Sequence, residues 1–390
     1  MIPYGKHHID EEDISAVVEV LRSGALTQGP AIEAFEKAVA DYVGAKYAVA
    51  VSSCTAGLHL AALVAGVGSG KTLVTSPITF VASANAGIYA GGRVAFADID
   101  PGTINISPEA LEVTLSAHPD TRAVVPVHFA GLPCDMPAIK SLADKAGAVV
   151  IEDAAHALGA TYPDGKRVGC CDHSLMTVFS FHPVKAIAAG EGGMITTNDE
   201  SVYRRLLRLR SHGINKLDDA LIAKQQAFTD GIQNPWYYEM QEIGFHYRIT
   251  DIQCALAHSQ LLRLPYFIER RRKLASQYDR LFTGWDWLYP AQSVGRRLSG
   301  HHLYVIRIDF QKLSKSRGLV MREMMAKGVV CQVHYIPITS QPFYSNQGFL
   351  SSDYPNALAY YDSALSIPIY YSLTDKEQEY IVETLRNLGQ

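Results

Sequence analysis

Three stretches of this chain carry residue types that could do chemistry together. In VSSCTAG, the residues Ser53, Cys54, Thr55 and Ala56 follow an apolar strand-like run and open a helix-like one. Small residues, hydroxyls and free N–H groups at a helix N-terminus attract an anion, by about 0.3–1 kcal/mol and up to ~2 when partly buried. Alone, the pattern is also that of an ordinary Ser or Thr N-cap. In AVVIEDAAHALGA, Asp153 sits at the carboxyl end of a buried strand, the usual ligand edge of an α/β sheet, although a Glu-Asp pair is often only a solvated turn. In LMTVFSFHPVKAIAAGEGG, Lys185 is bounded by Phe181, Pro183, Val184, Ala186, Ile187 and several glycines. Partial desolvation lowers the pKa of such a lysine and favours Schiff-base chemistry, whereas a lysine on a surface loop is the plainer reading without the other two pieces. Together the three describe a phosphate on a helix N-terminus, a carboxylate for a cationic ring nitrogen and an amine that can form an imine. Pyridoxal 5′-phosphate (PLP) needs these contacts.

A fourth stretch, GVGSGKT at 66–72, mimics the second half of a nucleotide phosphate loop. That loop needs a strand before it and a helix after it, so that the helix N-terminus faces the phosphates. Here a helical pattern, TAGLHLAALVAG, runs in and a strand pattern, TLVTSP, runs out; Ala65 also stands where the first glycine is required. The stretch reads as a Gly-rich turn with a solvated Lys71.

The elements that must position these residues alternate through the first half. DEEDISAVVEVLRSG places Ile14, Val17, Val18 and Leu21 on one helical stripe, with acids in its first turn and Gly24 at its end. AIEAFEKAVADYVG repeats the form. The strand-like runs are YAVAVSS, TLVTSP, RVAFADID, AVVPVHFAG, AVVIEDAAH, LMTVFSF and GGMITTND. Mostly unalternating Val, Ile and Ala strands between helices predict an α/β sheet covered on both faces. Near residue 255 the texture changes to a long helical stretch, then HHLYVIRIDF, VVCQVHYIPI and a last helix. A large α/β domain over 1–252 and a smaller α+β domain over 253–390 are expected.

Composition narrows the class. The chain has 390 residues, 48% of them hydrophobic and 19% charged, with a formal net charge of -4, so nothing suggests broad nucleic-acid or anionic-membrane binding. MIPYGKHHIDEED lacks the apolar segment of a signal peptide. Cys54, Cys134, Cys170, Cys171, Cys254 and Cys331 form no C-x-x-C, which suits reduced thiols and a cytoplasmic location. The histidine pairs at 7–8 and 301–302 lack helical metal-ligand spacing, and no metal is expected.

The order of the motifs then shows a resemblance. LTQGPAIEAFE, SSCTAGLHLA, SPITFVASANAG, FADIDPGTINI, PVHFAGLPCDM, IEDAAHALGA, VFSFHPVKAIAAGEGG, LRSHGI, GFHYRITDIQCAL, HHLYVIRI, CQVHYIPI and ALSIPIYYSLTD run nearly end to end. The chain resembles the DegT/DnrJ/EryC/StrS family of PLP-dependent sugar aminotransferases, of fold type I. SPITFVASAN, RSHGI, YRITDIQCAL and QVHYIPI make it look most similar to the transaminases of the pseudaminic acid pathway. The resemblance implies transfer of an amino group from glutamate to a UDP-linked 4-keto-6-deoxy sugar, and a homodimer with shared sites. It implies that Lys185 bonds PLP, that Asp153 pairs with the pyridine nitrogen, that His156 lies beside the ring hydroxyl and that Phe80 stacks on the ring. Ser180, Cys54, Thr55 and Ala56 match the phosphate cup. Tyr4, Gly24, Ala25, Leu26, Thr27, Gln332, Val333, His334 and Tyr335 match positions that contact the sugar nucleotide.

There are departures. His246 in GFHYRITD stands where the family usually has an Asn that reaches into the partner's site; its imidazole still donates a hydrogen bond but is larger and titrates. Ala188 and Ala189 replace commoner threonines, and Cys54 a frequent Ala. A lysine at 185 argues against the sugar dehydratases of the family, which carry His there. No appended DNA-binding domain or clustered basic charge supports a non-catalytic regulator.

Overall fold

The computed structural model describes residues 1–216 and 221–389. Seven strands form one sheet: β1 (Tyr47–Val51), β2 (Thr72–Thr75), β3 (Arg93–Phe96), β4 (Thr121–Val125), β5 (Val149–Asp153), β6 (Met176–Ser180) and β7 (Gly193–Thr197). Their spatial order is β1-β7-β6-β5-β4-β2-β3. Only β7 runs against its neighbours; the other pairings are parallel. β1, β5 and β6 therefore end on one edge of the sheet.

Both faces of the sheet are covered, which is why its strands read as continuous apolar runs. Side chains still alternate. Val49, Val51, Ile151, Val178 and Ile195 enter one core with α3 (Cys54–Val64), α4 (Val81–Tyr89) and α7 (Glu200–Arg210). Ala48, Ala50, Val150, Phe179 and Met194 enter the other with α2 (Pro30–Val43), α5 (Pro108–Ala117) and α6 (Met136–Lys145). This second face also takes Cys254, Ala257, Leu261 and Leu264 from the long helix Asp251–Leu281. A Thr250 capping box starts that helix.

The far end of the long helix belongs to a separate core. Leu274, Tyr278 and Phe282 pack with Tyr304, Ile306, Leu365, Ile367, Ile381 and Leu385. The strands here are Leu288–Pro290, Tyr304–Ile308 and Ala364–Ile367, all antiparallel. VVCQVHYIPI contributes no strand, only isolated bridges from Val329 to Ile2 and from Gln332 to Ser366. The chain start returns to this core, with Ile2 buried and bridged to Val329.

Two local expectations can be compared directly. The GVGSGKT stretch links the end of α3 to β2, with Lys71 exposed, so no phosphate loop forms. The first helix, α1 (Glu11–Ser23), forms with an Asp10 capping box and a Gly24 C-cap. Its apolar stripe is only partly covered, however: Val17 and Val18 are half-buried while Ile14 and Leu21 are exposed. The residue it buries is Asp13, because Arg263 of the long helix reaches Asp13 Oδ1 at 2.6 Å and also pairs with Asp10. Ion pairs to the long helix thus help to hold α1 in the single chain. Among the described residues, no helix is long and apolar enough to cross a membrane.

Candidate active site

A cavity of about 430 Å³ opens at the edge where β1, β5 and β6 end. A roomier groove of about 700 Å³ lies elsewhere, around the Glu36–Arg210 ion pair. That groove is more open and holds none of Lys185, Asp153 or the α3 N-terminus; the smaller cavity holds all three.

Asp153 is the last residue of β5, and its neighbour Glu152 points to the opposite face of the sheet. Glu152 is fully buried and accepts hydrogen bonds from His128 Nε2 at 2.7 Å, Ser174 Oγ at 2.5 Å, Thr177 Oγ1 at 2.9 Å and the Tyr162 hydroxyl. Burial alone would raise its pKa; the bonds from His128, Ser174 and Tyr162 outweigh it and hold the carboxyl below its usual range. The strand end carrying Asp153 is thus anchored from behind. On the cavity side, Asp153 Oδ2 accepts from Ser83 Oγ at 2.6 Å and Oδ1 from the Ala155 amide at 3.1 Å. Ser83 is itself bonded to Thr79 Oγ1 at 2.7 Å, from the loop just before α4.

Lys185 lies on the loop after β6, which is shaped by the Lys185 amide donating to the His182 carbonyl and Ala189 to Phe181. Desolvation pulls its amine down to about 8, while the neighbouring Cys54 and Asp153 limit the fall. At the α3 N-terminus, Ser53 caps the helix by accepting from the Ala56 amide at 3.1 Å. The Cys54 and Thr55 amides have no protein acceptor among the described residues, and both residues line the cavity. Gly193 lies directly beneath them: a Cβ there would meet Ser53 and Cys54 backbone atoms at 2.7 Å. That close approach requires glycine.

Aromatic and imidazole groups form the remaining walls. His156 is buried, its Nε2 3.0 Å from the Tyr335 hydroxyl and its Nδ1 without a partner. Burial, then the charges of Lys185 and His334, push His156 well below its ordinary pKa, so it is a neutral imidazole. Tyr4 and His334 are in ring contact at 5.5 Å, and Phe80 lies at the mouth, 58% exposed.

Of the residues expected from sequence, Lys185, Asp153, His156, Ser180, Cys54, Thr55, Phe80, Tyr4, His334 and Tyr335 line this cavity. Ala56, Gln332 and Val333 stand outside its wall. Gly24, Ala25, Leu26, Thr27 and His246 are also absent from it. Thr27 is bridged to Thr250, and His246 is exposed, bridged to Ser211, with its ring 5.4 Å from that of His212. Sequence reasoning missed Ser83 and His302. Ser83 had a weak signal, a hydroxyl in the first turn of the helix that follows SPIT. His302 had none, being 117 residues from Lys185, whose amine it meets at 3.5 Å.

A free helix N-terminus on a glycine floor, a buried carboxylate with a spare lone pair, an unpartnered imidazole nitrogen and an amine poised near 8 together suit an anionic, aldehyde-bearing heteroaromatic cofactor. Comparisons with known proteins agree. Residues 7–386 match the model of the DegT/DnrJ/EryC1/StrS aminotransferase family. The chain is 39% identical over 389 residues to the spore coat polysaccharide biosynthesis protein SpsC of Bacillus subtilis, covering 99% of this chain and 97% of SpsC. Helicobacter pylori PseC, an aminotransferase involved in the biosynthesis of pseudoaminic acid, superimposes with a TM-score of 0.89 at 30% identity, covering 99% of this chain and 98% of PseC. The PLP form of the putative sugar aminotransferase Spr1654 from Streptococcus pneumoniae gives a TM-score of 0.88 at 28% identity, covering 100% of this chain and 98% of that one. Spr1654 is also known in a PMP form.

Proposed function

This chain belongs to the DegT/DnrJ/EryC1/StrS family of PLP-dependent aminotransferases, with fold type I architecture, and from that premise we propose that it moves an amino group from L-glutamate to C4 of a UDP-linked 4-keto-6-deoxy sugar. The product is then UDP-4-amino-4,6-dideoxy-N-acetyl-β-L-altrosamine. The observation that carries the reading is the meeting of Lys185, Asp153 and the α3 N-terminus around one cavity. The likeness to PseC supports the choice of sugar.

When bound, PLP supplies an aldehyde that condenses with amines and a cationic ring that draws electron density as a proton leaves the adjacent carbon. The chain's own residues do the rest. The Cys54 and Thr55 amides and Ser180 hold the phosphate. Asp153, oriented by Ser83 and Ala155, would pair with the ring nitrogen. Lys185 is the amine that would bond the cofactor and, when free, would carry the proton; an amine near 8 exists in both forms close to neutral pH, which suits a general acid and base. Phe80, Tyr4, His334 and Tyr335 exclude water and contact the sugar.

The enzyme works as a homodimer in the cytoplasm. His246 and the 24–27 stretch complete the partner's cavity, a reading supported by their exposure or distance from their own. Six unpaired cysteines suit a reducing compartment. A second reading, amination of another UDP- or dTDP-linked keto-sugar at C3 or C4, is favoured by the higher identity to SpsC. Assay of the purified enzyme with glutamate and a panel of UDP- and dTDP-keto-sugars separates the two. Turnover of the UDP-4-keto-6-deoxy sugar above all others is expected, and preference for a dTDP sugar would refute the first reading.

A further inference from the structure

His302 is the hydrogen-bonding neighbour of the Lys185 amine among the described residues, with Nε2 at 3.5 Å. The ring is 6% exposed and its other nitrogen, Nδ1, has no partner. Its backbone is clamped from the long helix: buried Arg271 donates from Nη1 to the carbonyls of His301, His302 and Ile369 at 3.3, 3.2 and 3.0 Å. The ring itself lies against His156, with centroids 4.4 Å apart. Nothing in this arrangement serves the fold alone, since the imidazole is fixed with one nitrogen toward the amine and the other toward no group.

We propose that His302 is a positioning residue, whose Nε2 accepts a hydrogen bond from the Lys185 ammonium whenever that amine is free and keeps it aimed into the cavity. The inference rests on the reading of Lys185 as the lysine that bonds the cofactor. It follows from satisfiability. A desolvated ammonium needs an acceptor, and a neutral imidazole offers one. Burial, then the charges of Lys185, His156, Arg271 and His334, keep His302 neutral. The groups facing Lys185 are Asp153 at the end of β5, Cys54 on α3, and His156, His302 and His334; Asp153 and Cys54 favour the charged amine, and the histidines are held neutral.

The test uses the full-length enzyme loaded with pyridoxamine phosphate, in which Lys185 is free. Histidine side-chain nitrogen NMR at pH 7 should show His302 with its proton on Nδ1 and Nε2 bare; a proton on Nε2 overturns the proposal. Lysine labelled with 13C at Cε then gives the Lys185 titration midpoint. His302→Phe should lower it by about one unit, a tenfold change in the ammonium-to-amine ratio at fixed pH. His302→Gln, which keeps an acceptor, should restore most of the shift. An unchanged midpoint in a folded His302→Phe overturns the proposal, and if that variant does not fold, the wild-type tautomer decides. Failure of the lysine reading shows elsewhere: mass spectrometry after borohydride reduction of the PLP-loaded enzyme would place the cofactor on another side chain.

Discussion

Replacing Lys185 with Met should stabilise the cofactor-free enzyme while abolishing turnover. The amine falls from 10.5 to about 8 because burial disfavours its charge. Below pH 8 the lysine is protonated in both folded and unfolded chains, so the folded state carries the full penalty of that charge. The difference is about 2.5 units, or about 3 kcal/mol as an upper bound for a cavity that admits water. Between pH 8 and 10.5 the folded chain releases its proton while the unfolded chain keeps it, so wild-type stability rises through this window. Above it the penalty is gone. Met matches the length of the lysine stem without its charge. Losing the contact with His302 takes back about 1 kcal/mol, leaving a net gain of about 2 kcal/mol at pH 7. Urea denaturation of both cofactor-free proteins at pH 7 and pH 10 measures this. The midpoint of Lys185→Met should lie higher at pH 7, and the gap should shrink by more than about half at pH 10. A variant no more stable than wild type at pH 7, or a gap that ignores pH, would refute the claim that the site keeps an amine under desolvation strain.

Three further outcomes are expected. Ser83→Ala removes a 2.6 Å bond to a buried carboxylate, worth about 1.5–3 kcal/mol, so kcat should fall about ten- to a hundredfold with unchanged circular dichroism; normal turnover would deny Ser83 its orienting role. Glu152→Gln removes the charge that strengthens the hydrogen bonds from His128, Ser174 and Thr177 and should cost about 1.5–3 kcal/mol at pH 7 in chemical denaturation. Because the Glu152 pKa lies below its ordinary 4.5, that contribution is full at neutral pH and fades as the pH drops through the folded-state value, so the two proteins should converge in acid. Gly193→Ala pushes a methyl into the Ser53–Cys54 backbone and should weaken PLP retention about tenfold, read by equilibrium dialysis; undiminished affinity would rule out the α3 N-terminus as the phosphate seat.

What the sequence by itself determined were features written in short periods and caps. Seven apolar runs marked the strands, and the strand-to-helix order around Ser53 and the helix-to-strand order around GVGSGKT separated a candidate anion seat from a mimic. Asp153 and Lys185 were legible because the first ends a strand and the second lies in the loop after one, at the edge where ligands bind in such a sheet. Tertiary structure alone decided which distant residues meet there. Tyr335 reaches His156 across 179 residues and His302 reaches Lys185 across 117, on contacts made by docking the second core through the long helix. It also left Ile14 and Leu21 of the α1 stripe exposed and buried Asp13 against Arg263 of the long helix. Periodicity reports which face of an element is apolar. Which neighbour that face finds depends on how whole elements pack, and no local pattern encodes it.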